Sequence, residues 1–260
     1  IITLILALAR YFHSLPPEEI GRIRALLVPA AMALLPVGLV LLQPNLGTAM
    51  LLGGVTGVLF FVAGVRKWMF AALFAGVGAS LPMLWKFYMH DYQKQRVLTF
   101  LNPEVDKLGA GYNIMQSKIA LGAGGLFGRG FGQGTQSQLQ FLPEKHTDFI
   151  FVVLAEEFGL MGTLTLLLFY GLILAFGLLI AVRCQNQFAR LAAYGLTVNF
   201  FLYMCVNICM VTGLIPVVGI PLPLVSYGGT ALLTLLLGFG ILLSLSVHRD
   251  TRISRTGLPQ

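Results

Sequence analysis

Six apolar stretches of roughly membrane-crossing length dominate this chain: Ala25–Leu42, Leu46–Val65, Trp68–Met89, Phe149–Val182, Phe188–Ile215 and Thr230–Val247. Crossing the hydrocarbon core takes about 20 apolar residues as a helix. In lipid, each backbone N–H and C=O must be satisfied inside the protein, which leaves helices as the default answer for such runs. The fold class expected is therefore all-α, a polytopic membrane helix bundle. Only 10% of residues are charged and 57% are hydrophobic, whereas soluble domains carry about 25% charge. Lipid as solvent accounts for that deficit.

The net charge of +7 does not point to nucleic acid, because the basic residues are dispersed at segment ends. They also orient the chain. On one set of alternate connections lie ten: Arg10, Arg22, Arg24, Arg66, Lys67, Arg183, Arg190, Arg249, Arg252 and Arg255. The short loops on the other side, Gln43–Asn45 and Pro216–Gly229, hold none. The first side is expected to be cytoplasmic. The remaining basic residues fall in or beside residues 89–147, a large loop expected on the extracytoplasmic face. Cys184, Cys205 and Cys209 suggest neither a disulfide framework nor a four-cysteine metal site. The opening run Ile1–Ala9 is too short to span and lacks signal-peptide features. It reads as the tail of a helix, and residues 1–260 as one membrane domain forming the C-terminal portion of a longer chain.

Phe149–Val182 is 34 residues, about 50 Å as one helix, against a hydrocarbon core of about 30 Å. It contains Glu156-Glu157 followed by Phe158-Gly159. A short outer segment to Phe158 and a true span from about Leu160 are expected. Carboxylates at that depth must face protein or water. Adjacent helical residues point about 100° apart, so at most one of the two faces a given cavity. The run Gly122–Gly134 lacks the strand and βαβ context of a dinucleotide loop. It reads instead as a loop lying close to other backbone, with amides that could also serve an anion.

The polar loop carries the candidate chemistry. Residues Gly111–Ala120 read as a short amphipathic helix on the interface. Asp148 stands immediately before an apolar helix, where two readings stay open: an N-cap, or a general base at a partly dry boundary. Glu144 and His146, with Asp148 or His90, could be surface polar residues or metal ligands, their spacing being undiagnostic. Arg96 and Lys118 could anchor headgroups or bind phosphate. No Gly-x-Ser-x-Gly elbow or His-Glu-x-x-His helix is present, so serine hydrolase and zinc protease chemistry are unsupported.

Six stretches in order, Gln43–Ala49, His90–Arg96, Leu108–Tyr112, Gln116–Lys118, Gly134–Phe149 and Pro221–Gly229, resemble the SEDS family (shape, elongation, division and sporulation) of bacterial cell-wall polymerases. Gly134–Leu139 and Val217–Ile220 are closer to its elongation branch than to its division branch. The resemblance implies a ten-helix fold, of which this chain holds the end of the fourth helix and all of the fifth to tenth. It implies a peptidoglycan glycosyltransferase that polymerises lipid II on the outer face of the bacterial plasma membrane. Undecaprenyl diphosphate would be the leaving group, and a class B penicillin-binding transpeptidase the partner. The family's essential acid matches Asp148. An α-linked donor and a β-linked product make the transfer inverting, with Asp148 as base and Arg96 and Lys118 on the diphosphate. A divalent cation, Mg or Mn, is a candidate cofactor. Gln116, Ser117, Glu144, Lys145 and His146 are the remaining candidate substrate contacts. Asn45 departs from the Asp usual in the family, which puts a charge role there in doubt, and Thr230 replaces a usual Ser. A lipid II flippase and a scaffold that only activates the transpeptidase are the competing readings.

Overall fold

The computed structural model describes residues 1–16, 18–43, 45–88, 91–102, 110–134 and 146–251. The described residues form helices and no strand. In chain order these are α1 (Ile2–Ser14), α2 (Ile23–Leu42), α3 (Leu46–Ala63), α4 (Lys67–Met83), α5 (Asp91–Leu101), α6 (Ala110–Ala123), α7 (Ile150–Arg183), α8 (Gln187–Val211) and α9 (Gly229–Val247). Five of them, α2, α3, α7, α8 and α9, are long and apolar enough to cross a membrane. The Trp68–Met89 stretch ends differently from a plain span. Its α-helix, α4, has 17 residues with Pro82 near its end, and a π-helical turn, Leu84–Tyr88, continues it. Proline removes one ladder hydrogen bond, and a local π-turn is one way a helix re-satisfies the groups this frees.

Two compact units are distinguishable. The first comprises Ile1–Ala72, Leu172–Leu202 and Thr230–Gln260. Its core is built on α1, where Ile5, Leu8 and Phe12 are fully buried. The ring of Phe12 meets Phe60 of α3 edge-on, with centroids 5.3 Å apart. Ala192 and Ala193 of α8 are fully buried in the same cluster. Small side chains let helix backbones approach closely, which is what packs helices when lipid is the alternative. Leu27, Leu34, Leu35 and Leu39 of α2 face outward, the arrangement expected of lipid-facing surface.

Asn45 has a clear task here. Its side-chain oxygen accepts the Thr48 N–H at 3.1 Å and caps α3. A cap needs an acceptor oxygen, which Asn and Asp supply about equally. The departure from the family's usual Asp therefore preserves the local structure.

The second unit comprises Leu73–Gly171 and Tyr203–Gly229. It holds α5, α6, the glycine-rich run, the first part of α7 and the loop between α8 and α9. The expected break in the long apolar run is present: α7 is interrupted at Gly159, with φ 65° and ψ −160°. Breaking a helix frees backbone groups, and here the glycine-rich run takes them up. The N–H groups of Arg129 and Gly130 donate to the carbonyls of Glu156 and Glu157, each at 3.0 Å. The N–H groups of Leu160 and Met161 donate to the carbonyls of Gly125 and Leu126, at 2.9 and 3.1 Å. Thr163 Oγ1 adds bonds to the carbonyls of Gly159 and Leu160. Glycine is required on both sides of this contact. A Cβ on Gly128 would strike the Glu157 carbonyl, and one on Gly159 would strike the Gly128 nitrogen.

Candidate active site

Asp148 lies two residues before α7 and is half-buried. The helix begins at Ile150 and the Phe149 carbonyl takes the Val152 N–H at 3.0 Å, which puts Phe149, not Asp148, at the cap position. The backbone leading to Asp148 is held instead by its neighbours in the second unit. Three consecutive carbonyls accept hydrogen bonds: His146 from the Tyr227 N–H at 2.9 Å, Thr147 from the Ser226 hydroxyl, and Asp148 from Asn207 Nδ2 at 2.8 Å.

The donors come from the end of α8 and from the loop that follows it. Asn207 is fully buried, and its Nδ2 also donates to the Ile220 carbonyl at 2.6 Å. Ser226 Oγ in turn accepts the Leu222 N–H at 2.7 Å. The Tyr170 hydroxyl of α7 donates to the Pro223 carbonyl at 2.6 Å. Between the anchors at Pro223 and Ser226 sits Leu224, with φ 64°, the one non-glycine with positive φ among the described residues. A bulky residue in that region stores strain, and it persists only where the surroundings fix it.

This loop supplies the floor beneath the carboxylate. Gly219 has φ +70°, and a Cβ there would lie 3.3 Å from Asp148 Oδ2. Lys118 of α6 reaches the same loop: a Cβ on Gly213 would lie 2.9 Å from its Nζ. A carboxylate and an ammonium thus rest on one glycine-bearing segment.

The other predicted site residues fall as follows. Gln116 and Ser117 lie beside Lys118 in α6. Ser117 is fully buried, and its hydroxyl donates to the Asn113 carbonyl at 2.7 Å, which engages its only proton inside the helix. Gln116 is half-buried, and its Oε1 accepts no hydrogen bond among the described residues. His146 is exposed. Arg96 falls in α5. Glu144, Lys145 and His90 lie outside the described residues. Among the described residues no three His, Cys, Asp or Glu come together. The helix expected at Gly111–Ala120 is α6, but its faces are not cleanly segregated. Gly111, Ile114, Ser117 and Ala120 are turned inward, while Met115 and Ile119 are exposed beside Lys118. The glycine-rich run is not an anion cradle at its centre, since the amides of Gly128, Arg129 and Gly130 all donate to backbone carbonyls. Glu156 and Glu157 are both buried.

Asn207 was not singled out by the sequence. The available signal was a carboxamide, one of two with Asn199, within an apolar span, where polar groups are costly and tend to be functional. Ser226 was visible only as part of Pro221–Gly229, with no role attached.

A family model described as cell cycle protein, covering FtsW, RodA and SpoVE, matches residues 1–251. The chain belongs to this family. A member from Escherichia coli K12, the peptidoglycan glycosyltransferase MrdB, is 54% identical over 215 residues, covering 83% of this chain and 58% of that protein. A probable peptidoglycan glycosyltransferase FtsW from Idiomarina loihiensis is 38% identical over 256 residues, covering 97% of this chain and 62% of its own length. Among solved structures, a chain from a peptidoglycan synthase complex coordinating polymerization and crosslinking superposes with a TM-score of 0.81 at 34% identity, covering 95% of this chain and 68% of that one. The rod shape determining protein RodA of Thermus thermophilus superposes with a TM-score of 0.64 at 30% identity, covering 96% and 64%. The chain thus spans 58% of the length of the E. coli family member. With five helices able to span a bilayer, it is a polytopic membrane protein of the SEDS fold.

Proposed function

We propose that this chain carries the catalytic carboxylate of a peptidoglycan glycosyltransferase that polymerises lipid II on the outer face of the plasma membrane. One observation carries the reading. Asp148 is tethered through three consecutive backbone carbonyls and rests on the same loop as Lys118. The names of the bacterial relatives support it, since those of E. coli and I. loihiensis are called peptidoglycan glycosyltransferases.

In the proposed reaction Asp148 takes the proton of the acceptor 4-hydroxyl as its oxygen attacks the donor anomeric carbon. The bond from that carbon to the diphosphate breaks on the opposite face, and undecaprenyl diphosphate departs. A positioned general base contributes typically 10²- to 10⁴-fold. The departing diphosphate needs positive charge where its negative charge develops. Lys118 and Arg96 supply it in this reading, Arg as a planar fork and Lys as a point charge. A divalent cation, Mg or Mn, is a further proposed counter-charge for the diphosphate, and the roles of Asp148, Lys118 and Arg96 do not depend on it. A class B penicillin-binding transpeptidase is the proposed partner, in keeping with the synthase complex that the fold matches.

The deciding experiment supplies lipid II to the purified intact protein with that transpeptidase. Glycan strands are expected. Movement of lipid II across liposome bilayers without polymer would replace this reading with the flippase.

A further inference from the structure

We propose that Asn207 and Ser226 are positioning residues, holding the Asp148 carboxylate in its reactive orientation from the far side of its own backbone. This rests on Asp148 being the base.

The argument starts from how a carboxylate is aimed. Its direction follows from the backbone at its Cα and from two side-chain torsions. Asp148 precedes α7, where helix hydrogen bonds do not yet fix the chain. The fixing comes from outside the helix. Asn207 Nδ2 bridges two carbonyls, that of Asp148 at 2.8 Å and that of Ile220 at 2.6 Å. Ile220 is the neighbour of Gly219, the residue lying under Asp148 Oδ2. One amide nitrogen therefore sets both the backbone that bears the carboxylate and the surface it rests on. The other half of the same carboxamide is telling. Asn207 Oδ1 is buried and accepts no hydrogen bond among the described residues. Buried polar atoms are normally satisfied. Tolerating one here makes sense if the residue is retained for what its nitrogen holds.

Ser226 repeats the device one residue upstream. Its hydroxyl donates to the Thr147 carbonyl while its oxygen accepts the Leu222 N–H. It joins the loop to itself and to the Asp148 segment through one atom. Neither side chain would touch substrate, and both act through Asp148.

The test uses the intact protein with its transpeptidase partner, lipid II as substrate, and three variants. Asn207→Leu keeps the branched heavy-atom skeleton, with bulkier methyl groups, and removes the donor. Ser226→Ala removes only the hydroxyl. Asp148→Asn reports separately on the base. Misplacing a reacting group by about 1 Å costs about 100-fold. The expected result is a kcat lower by about 10- to 100-fold for Asn207→Leu, and by a smaller factor for Ser226→Ala. KM should stay within about threefold, with the acidic limb of the kcat–pH profile displaced. Melting temperature should fall modestly, since carbonyls held by these side chains lose their donor. Asn207→Gln, which retains an amide donor, should recover part of the loss. If either variant is folded and has wild-type kcat and pH profile while Asp148→Asn is inactive, the positioning role is overturned. If Asn207→Leu does not fold, Ser226→Ala alone decides by the same readouts. An active Asp148→Asn would instead remove the base assignment on which the proposal stands.

Discussion

Gly219 shows how much a single missing side chain can determine. It has φ +70°, and its Cα side faces Asp148 Oδ2. In Gly219→Ala the new methyl would meet the carboxylate at 3.3 Å from a backbone that alanine adopts reluctantly. We expect a stability loss of about 1 kcal/mol, read as a modest fall in melting temperature, with a far larger fall in polymerisation rate. Equal falls in both would mean that Gly219 serves the fold rather than the carboxylate. Asn45 is the contrasting case, a polar residue whose task is structural. Asn45→Ala should destabilise by about 1 kcal/mol, and Asn45→Asp should leave stability nearly unchanged, as measured by thermal melting of the detergent-solubilised protein. Asp148 was legible in the sequence because an acid at the edge of an apolar run is costly and needs a reason. Asn207 and Ser226 were not, because their partners are backbone carbonyls far away in the chain, and backbone leaves no mark in a sequence pattern.

At the scale of elements, α7 and the glycine-rich run form one construction. The length of Phe149–Val182 against the bilayer announced that a break was needed, and Gly159 was the natural place for it. What receives the broken helix was hidden, since four backbone-to-backbone bonds between residues 125–130 and 156–161 carry no side-chain signature. Only the density of glycines hinted at close backbone approach. Gly159→Ala should prove costly, because the methyl would strike the Gly128 nitrogen and the residue has φ 65°. A loss of at least about 2 kcal/mol is expected. Hydrogen exchange should accelerate at Arg129, Gly130, Leu160 and Met161 together, as these amides share one contact. Exchange faster at only one of the two segments would contradict the paired arrangement. The boundaries of the six apolar stretches were read closely from hydropathy, with the largest difference at Trp68–Met89, where Pro82 hands the α-helix over to a π-turn, whereas α5, inside the polar loop, was not anticipated.

At the scale of the whole molecule, the fold class followed from a physical necessity, the satisfaction of backbone groups in lipid. The activity did not follow from that, because many membrane bundles share it. The proposed activity was already implied by the resemblance of six stretches to the cell-wall polymerases; a half-buried carboxylate and a lysine on one loop, and the names of the matching relatives, support it. If Lys118 meets the diphosphate, Lys118→Ala should slow polymerisation by about 10-fold or more, with Lys118→Arg recovering part of the rate, in a lipid II assay with varied substrate. An unchanged rate would leave Lys118 as a headgroup anchor. The most direct test compares wild type with Asp148→Asn in lipid II polymerisation by the intact protein and its transpeptidase partner. The substitution keeps size while removing the base. The account predicts loss of glycan strands with an unchanged melting temperature; strands formed at the wild-type rate would contradict it.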